Sequence, residues 1–259
     1  MPPKPIHDPE KGPLRALALM SGSGTNLRKI LEHTEKTKER EGRELVRVTG
    51  IFSDSWDSKA NEIGKDFDIP VITHDLRGWL KRNKVERKDL ESRRDYDRHN
   101  LELLKPLQAT VAIYAGYMSI ASPELINSYI GVNVHPADLS ATDESGRRKW
   151  TGAHAVRDAI AAGEKYIHAT THLVTLEVDA GPILMVSPPL EVEVPKDADL
   201  NDPETLQSVA DKNQERLKEA GDWVVFPETI EAIARGWFRT DEQGNVYYKE
   251  KPVPVGIRK

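Results

Sequence analysis

Short apolar runs recur along this chain, set apart by longer polar stretches. Leu14-Arg15-Ala16-Leu17-Ala18-Leu19-Met20 is almost continuously apolar, the pattern of a strand buried on both faces. Small residues from Ser21 to Asn26 then mark a turn, and residues 27–31 open a helix. The spacing predicts further strands at 46–52, 71–72, 110–114 and 131–135, with helices at 57–66 and 89–105. The stretch 81–98 is so rich in charge that the second of these helices is expected to be largely solvated. Ser122-Pro123-Glu124 has the cap and first-turn proline of a helix start. Later come a polar loop at 138–149, a helix at 153–162, and strands at 168–174 and 183–186 that flank a loop like a hairpin. Helices at 201–220 and 227–235 and a small strand at 244–248 complete the pattern.

Strands alternating with helices predict an α/β fold: a Rossmann-like, open, mostly parallel twisted sheet with helices on both faces. Residues 1–13 read as a loose N-terminal tail, 14–238 as the main domain, and 239–259 as a C-terminal strand and tail extension. A length of 259 residues leaves room for one large α/β domain or two small ones. No apolar run approaches the ~20 residues of a membrane helix, and the proline-rich start lacks a signal-peptide core. The absence of cysteine excludes disulfides, thiol nucleophiles and thiolate metal sites, and fits a cytoplasmic setting. A net charge of −5 argues against non-specific nucleic-acid binding while leaving room for a local phosphate pocket.

Candidate chemistry concentrates at Asn133-Val134-His135-Pro136 and, 44 positions after the histidine, at Asp179. Side chains alternate along a strand, so Asn133 and His135 share a side. An amide, an imidazole and a carboxylate can together hold a tetrahedral oxyanion and move a proton, with the carboxylate favouring the imidazolium. The same residues would equally serve as a buried amide and a histidine closing a strand. The turn Ser21-Gly22-Ser23-Gly24-Thr25-Asn26 lies between a strand and a helix, where backbone N–H groups and the helix dipole favour an anion. Leu27 stands where a dinucleotide fingerprint needs glycine, and no Gly-Lys-Ser/Thr follows. A phosphomonoester site and a structural tight turn both fit these residues.

From Leu14 to Phe238, these motifs in this order resemble the folate-dependent formyltransferases, most closely the purine-synthesis branch. The resemblance implies the formyltransferase fold, a formyltransferase domain over 14–238, and the substrate-phosphate turn at Gly22, Ser23, Gly24, Thr25 and Asn26. It places a phosphate-binding role on Arg93 within Ser92-Arg93-Arg94-Asp95-Tyr96-Asp97, and a ribose-binding role on Asp222. His172 sits as a second family histidine does. Tyr117, Met118, Ser119, Ile120, Ala121, Val178, Ala180 and Gly181 fall on the family's folate-binding segments. Asn133, His135 and Asp179 match its catalytic residues. The implied reaction passes a formyl group from 10-formyltetrahydrofolate to the primary amine of a phosphorylated small molecule, glycinamide ribonucleotide. The implied partners are that amine and the reduced folate, acting on a monomer or homodimer without nucleic acid or membrane.

The chain also departs from the family pattern. Ser119 replaces an arginine, Ala180 a glycine, and Asp222 a glutamate. The loop from Asp138 to Trp150 is longer, more charged and lacks the usual prolines. Those charges cannot all be buried, so the loop is expected to be an exposed, mobile lid anchored by Trp150, or else a tolerated surface insertion. Arg147-Arg148-Lys149 fits either an acidic substrate or a solvated basic run. The alternatives are a hydrolase that deformylates the same folate, a formyltransferase for another amine such as an amino-sugar nucleotide, and a non-enzymatic folate- or nucleotide-binding protein. His168 and His172 lie four apart but lack a third ligand, so no metal is expected.

Overall fold

In the computed structural model, which describes residues 2–86 and 89–259, a two-residue strand, β1 (Lys4–Pro5), precedes the buried run β2 (Leu14–Met20). From β2 the chain turns into α1 (Thr25–Glu41), then β3 (Val46–Ser53), α2 (Ala60–Asp66), β4 (Val71–Thr73), α3 (Leu76–Asn83) and α4 (Leu90–Leu104). It continues through β5 (Val111–Tyr114) and α5 (Pro123–Ser128) to β6 (Ile130–His135). The strands pair in the order β4-β3-β2-β5-β6, every neighbour parallel. Parallel neighbours need long crossovers, and the helices supply them. Residues 6–133 and 233–236 form one compact unit around this sheet.

A second unit comprises residues 2–5, 134–232 and 237–259. It contains α6 (Ala155–Ala161), β7 (Tyr166–Ile167), β8 (Thr170–Leu173), β9 (Ile183–Val186), β10 (Leu190–Glu191), α7 (Pro203–Leu217) and all but the last two residues of α8 (Trp223–Ala234). The strands β11 (Phe238–Thr240), β12 (Val246–Tyr248), β13 (Lys251–Pro252) and β14 (Ile257–Arg258) follow. β8 and β9 form the antiparallel hairpin whose loop carries Asp179, and β14 lies parallel to β9. β11, β12 and β13 form an antiparallel meander. The protein is thus a mixed α/β structure built on a largely parallel sheet with helices. Among the described residues, no helix is long and apolar enough to cross a membrane.

Four sequence expectations need correction. The N-terminal tail is not loose: Lys4 and Pro5 pair with Thr240 and Arg239 of β11, giving backbone groups there a partner. Helix α4 is not largely solvated. Arg93, Tyr96, Asp97, Asn100 and Leu104, spaced for one helix face, are buried. Tyr96, Asp97 and Asn100 on that face each have a hydrogen-bond partner, since burial without one would be costly. The Ser122 N–H donates to Asp97 Oδ2 at 2.8 Å, and His74 Nδ1–H donates to Asn100 Oδ1 at 2.6 Å. Pro227 does not start a helix. α7 runs through a π turn, Lys218–Asp222, into α8, and Pro227 lies inside α8. Only one backbone donor is lost there.

The fourth correction concerns the loop after His135, which is not a free lid. Leu139 is buried with Ile183 and Val186. Arg258 of β14 donates to Asp138 Oδ2 at 2.6 Å and to Ser140 Oγ at 2.7 Å. The tip folds on itself, with Asp143 Oδ1 accepting the Ser145 and Arg147 N–H groups and a bridge joining Thr142 to Arg148. Charges at the tip stay exposed, as the cost of burial requires, while the apolar and paired residues pin both limbs.

Candidate active site

β6 ends at His135, and the hairpin between β8 and β9 brings Asp179 back to it. His135 Nδ1 lies 3.4 Å from Asp179 Oδ2, and His172 Nε2 lies 3.6 Å from Asp179 Oδ1. All three side chains are buried. The outer nitrogens are tied to the backbone: His135 Nε2–H donates to the Trp150 carbonyl at 2.8 Å, and His172 Nδ1–H donates to its neighbour Leu173 at 2.9 Å. Those bonds keep the proton of each neutral ring on the outer nitrogen and turn the inner nitrogen toward the carboxylate. The Gly152 N–H also donates to Asp179 Oδ2, at 2.8 Å.

Burial pushes His135 below the ordinary histidine value, against the raising effect of Asp179 and the Trp150 carbonyl, and Arg148 adds to the lowering. Burial likewise holds His172 low. The carboxylate therefore does not by itself keep His135 charged, contrary to the sequence expectation. Desolvation disfavours the imidazolium more than the partners favour it. What remains is a buried carboxylate facing two imidazole nitrogens.

The hairpin loop has a demanding backbone. Asp179 adopts φ +54°, a left-handed conformation uncommon for a residue with a Cβ. Gly181 is obligate for a different reason, because a Cβ there would lie 1.8 Å from the Leu173 carbonyl oxygen. Val178 and Ala180 flank the buried aspartate and are exposed, Val178 by 61%. Asp222 is buried in the π turn between α7 and α8, an irregularity frequent at functional positions.

In the other unit, the loops after β2, β3 and β5 leave the C-terminal edge of the parallel strands, where open α/β sheets bind ligands. They are joined by hydrogen bonds from Ser21 N to Gly116 O (3.0 Å), Met118 N to Ser21 Oγ (2.9 Å) and Lys59 N to Gly22 O (3.0 Å). Gly24, at φ +67°, is the left-handed N-cap of α1, and no side chain caps that helix. A Cβ on Gly24 would meet Ile63 and Met20 at 2.5 and 2.7 Å, whereas Gly22 faces open space. Gly22 and Ser23 are exposed and Thr25 and Asn26 half-buried, at a helix N-terminus, the kind of place where backbone N–H groups can face an anion.

Two adjacent arginines of α4 behave differently. Arg94 pairs with Glu91 and Glu124. Arg93 is only 6% exposed, stacks over Tyr96 at 5.2 Å, and has no hydrogen-bond partner at Nε or Nη2 among the described residues. Ser119 donates to the buried Asp54. Tyr117 and Ala121 are half-buried beside the exposed Met118 (77%) and Ile120 (60%). Asn133 lies two residues before His135 on the same side of β6 and is paired in register with Tyr114.

Of the predicted residues, the structure brings His135, His172 and Asp179 into one cluster, and the turn at 21–26 into hydrogen-bonded company with the 116–118 segment. Arg148, the Trp150 carbonyl, the Gly152 N–H and Asp54 were missed as site members. Arg148 was visible only as one of three consecutive basic residues. Asp54 could have been suspected from its place one residue beyond a buried parallel strand. Among the described residues, no group of three or more histidine, cysteine, aspartate or glutamate side chains is placed to hold a metal ion. His168 Nδ1–H donates to Ser187 O at 3.0 Å.

Comparison with known proteins places this geometry in context. The formyl transferase family model matches residues 14–220. Phosphoribosylglycinamide formyltransferase of Mycobacterium tuberculosis is 31% identical over 216 residues, covering 83% of this chain and 86% of that one. The Escherichia coli K12 protein of the same name is 29% identical over 174 residues, covering 66% and 71%. Among solved structures, phosphoribosylglycinamide formyltransferase of Coxiella burnetii aligns with a TM-score of 0.68 at 24% identity, covering 95% of this chain and 99% of that one. Glycinamide ribonucleotide transformylase 1 of Symbiobacterium toebii aligns with a TM-score of 0.65 at 26% identity, covering 91% and 94%.

Proposed function

Because this chain belongs to the formyl transferase family, we propose that it carries a formyl group from 10-formyltetrahydrofolate to the primary amine of glycinamide ribonucleotide in purine synthesis. The observation that carries this reading is the buried Asp179 carboxylate facing the inner nitrogens of His135 and His172. The acceptor amine attacks the formyl carbon, forming the new C–N bond as charge develops on the formyl oxygen. His135 Nε2–H, which in the structure donates to the Trp150 carbonyl, is the group assigned to that oxygen. A developing alkoxide is the stronger acceptor and outcompetes the carbonyl. The side-chain amide of Asn133 is assigned to the same oxygen.

Attack leaves a surplus proton on the amine. The Asp179–His135 pair takes it up through water and returns it to the folate nitrogen as the bond from that nitrogen to the formyl carbon breaks. Neutral His135 serves as donor and the carboxylate as base, so no charged imidazolium need be present beforehand. The acceptor's phosphate is assigned to the 21–26 turn and Arg93, whose buried unpartnered N–H groups suit an oxyanion. Asp222 is assigned to the ribose hydroxyls. The folate is assigned to Tyr117, Met118, Ser119, Ile120, Ala121, Val178, Ala180 and Gly181, among which Met118, Ile120 and Val178 are exposed apolar side chains.

The test is incubation of the purified protein with 10-formyltetrahydrofolate and glycinamide ribonucleotide, other phosphorylated amines, an amino-sugar nucleotide, or water alone. Formylated glycinamide ribonucleotide formed faster than every other product supports the reading. Equal release of formate without an amine would make the chain a hydrolase.

A further inference from the structure

We infer that Arg148, in the lengthened loop after His135, is a positioning residue that forks its guanidinium onto the Asp179 and Gly181 carbonyls and so fixes the backbone carrying the catalytic carboxylate. The inference rests on the reading of His135 and Asp179 as the reacting pair. One arm of the guanidinium, Nη1, donates to the Asp179 carbonyl, and the other, Nη2, donates to the Gly181 carbonyl at 2.8 Å. A planar fork with fixed donor directions suits two carbonyls two residues apart, and a single ammonium does not.

The loop needs such a clamp. Asp179 holds a left-handed φ of +54°, a conformation that persists only where the surroundings enforce it. The hairpin supplies one restraint, from Leu173 N to Pro182 O at 2.9 Å. Arg148 restrains the opposite side of the reversal, at the aspartate itself. Its neighbours do not share this role: Arg147 bonds to Ser145 and pairs with Asp143 at the exposed tip, and the Lys149 ammonium lies 6.0 Å from the Trp150 ring.

Arg148 also begins a strap that reaches both members of the pair. Two residues on, the Trp150 carbonyl accepts from His135, and two further on the Gly152 N–H donates to the Asp179 carboxylate. Anchoring the strap at Arg148 joins it to the aspartate loop, so that imidazole and carboxylate keep their separation when substrates enter. The groups facing His135 are the Asp179 carboxylate, the His172 ring, the Arg148 guanidinium and the Trp150 carbonyl. Removing the guanidinium takes away one of the influences that hold the His135 ring neutral.

The experiment compares Arg148→Met, Arg148→Lys and His135→Ala with the parent. It measures the single-turnover formyl-transfer rate, the KM for each substrate, the melting temperature, and the NMR titration of the His135 ring. Arg148→Met is expected to lower the single-turnover rate roughly 10- to 100-fold. Both KM values should stay within about twofold and the melting temperature within about 2 °C, a shift worth at most ~1 kcal/mol in a chain this long. The His135 titration should move to higher pH. Arg148→Lys keeps the charge and loses the fork, so its titration stays near the parental one while its rate still falls.

A parental rate in Arg148→Met with His135→Ala inactive overturns the Arg148 role and leaves the reacting pair standing. Parental rates in both overturn the pair and the inference together. A raised KM at unchanged rate makes Arg148 a binding residue and also overturns the proposal. If Arg148→Met does not fold, Arg148→Lys decides: a parental rate there means the fork does nothing.

Discussion

Adding one methyl group at Gly181 should damage both stability and catalysis. The new Cβ would lie 1.8 Å from the Leu173 carbonyl oxygen, 2.8 Å from its carbon, and 3.2 Å from Thr175 Cγ2. Carbon and carbonyl oxygen rarely approach closer than about 3.3 Å, so the two limbs of the hairpin must part by roughly 1.5 Å. The obstructing atoms are backbone, which cannot rotate aside as a side chain would. The adjacent bond from Leu173 N to Pro182 O, 2.9 Å long, must stretch or break. Overpacking costs about 1–3 kcal/mol, and the strained hydrogen bond about 1 kcal/mol more. For a chain of this size that corresponds to a loss of roughly 4–15 °C in melting temperature.

Catalysis should suffer more, since Asp179 lies two residues away and a misplacement of ~1 Å costs on the order of 10²-fold. Thermal melting and an absorbance assay for release of tetrahydrofolate measure the two effects. Ala180→Gly is the control: that residue is exposed, and the change should cost under about 1 kcal/mol. Gly181→Ala with a parental melting temperature and a kcat within twofold of the parent would refute the reasoning.

Other expectations follow from the same geometry. Asp179→Asn keeps the shape and removes the base, so kcat should fall ~10²-fold or more with little change in melting temperature; near-normal single-turnover rates would sink the proton-acceptor role. Arg93→Ala should raise the acceptor KM about 10- to 150-fold and leave the folate KM alone. Equal rises in both would count against the phosphate assignment. Burial lowers the folded-state value of His172 below its ordinary 6.5, so the unfolded chain binds the proton more readily. The stability contribution is complete above pH 6.5 and is lost as pH falls toward the folded value. His172→Gln should therefore flatten the decline in melting temperature between about pH 6.5 and 5, in part only because His135 and His74 shift the same way. An unchanged slope in the variant would rule out His172 as a contributor.

Much of the parallel sheet was legible because its strands are buried on both faces and read as unbroken apolar runs, as at Leu14–Met20. The alternation placing Asn133 and His135 on one side of β6 was also in the sequence. Helix α4 was misread because its buried face is made of Arg93, Tyr96, Asp97 and Asn100, which hydrophobic periodicity counts as solvated. The π turn before α8 was misread because Pro227 carries the usual mark of a helix start. In the hairpin, the motif gave Asp179 and Gly181, but nothing local signalled Arg148, whose role depends on two carbonyls more than thirty positions away. Long-range contacts to backbone groups leave no trace in side-chain pattern, and the strap from Arg148 to Gly152 acts chiefly through such contacts.

The buried polar face of α4 has a consequence for how uniquely this helix is seated. A stripe of leucines would pack almost as well after the helix slid by one turn or rotated slightly. The face present here would not. Asp97 must meet the Ser122 N–H, Asn100 the His74 imidazole, and the Tyr96 hydroxyl the His74 carbonyl. A slipped register would strand each of these groups, at about 1–3 kcal/mol apiece, so three misfits raise the competing arrangements by several kcal/mol. The helix therefore has one permitted address, and its register is specified by hydrogen bonding where a greasier helix would leave it to shape. Replacing the face wholesale with leucine and isoleucine should leave a helix that still docks but no longer presents Arg93 at a single place.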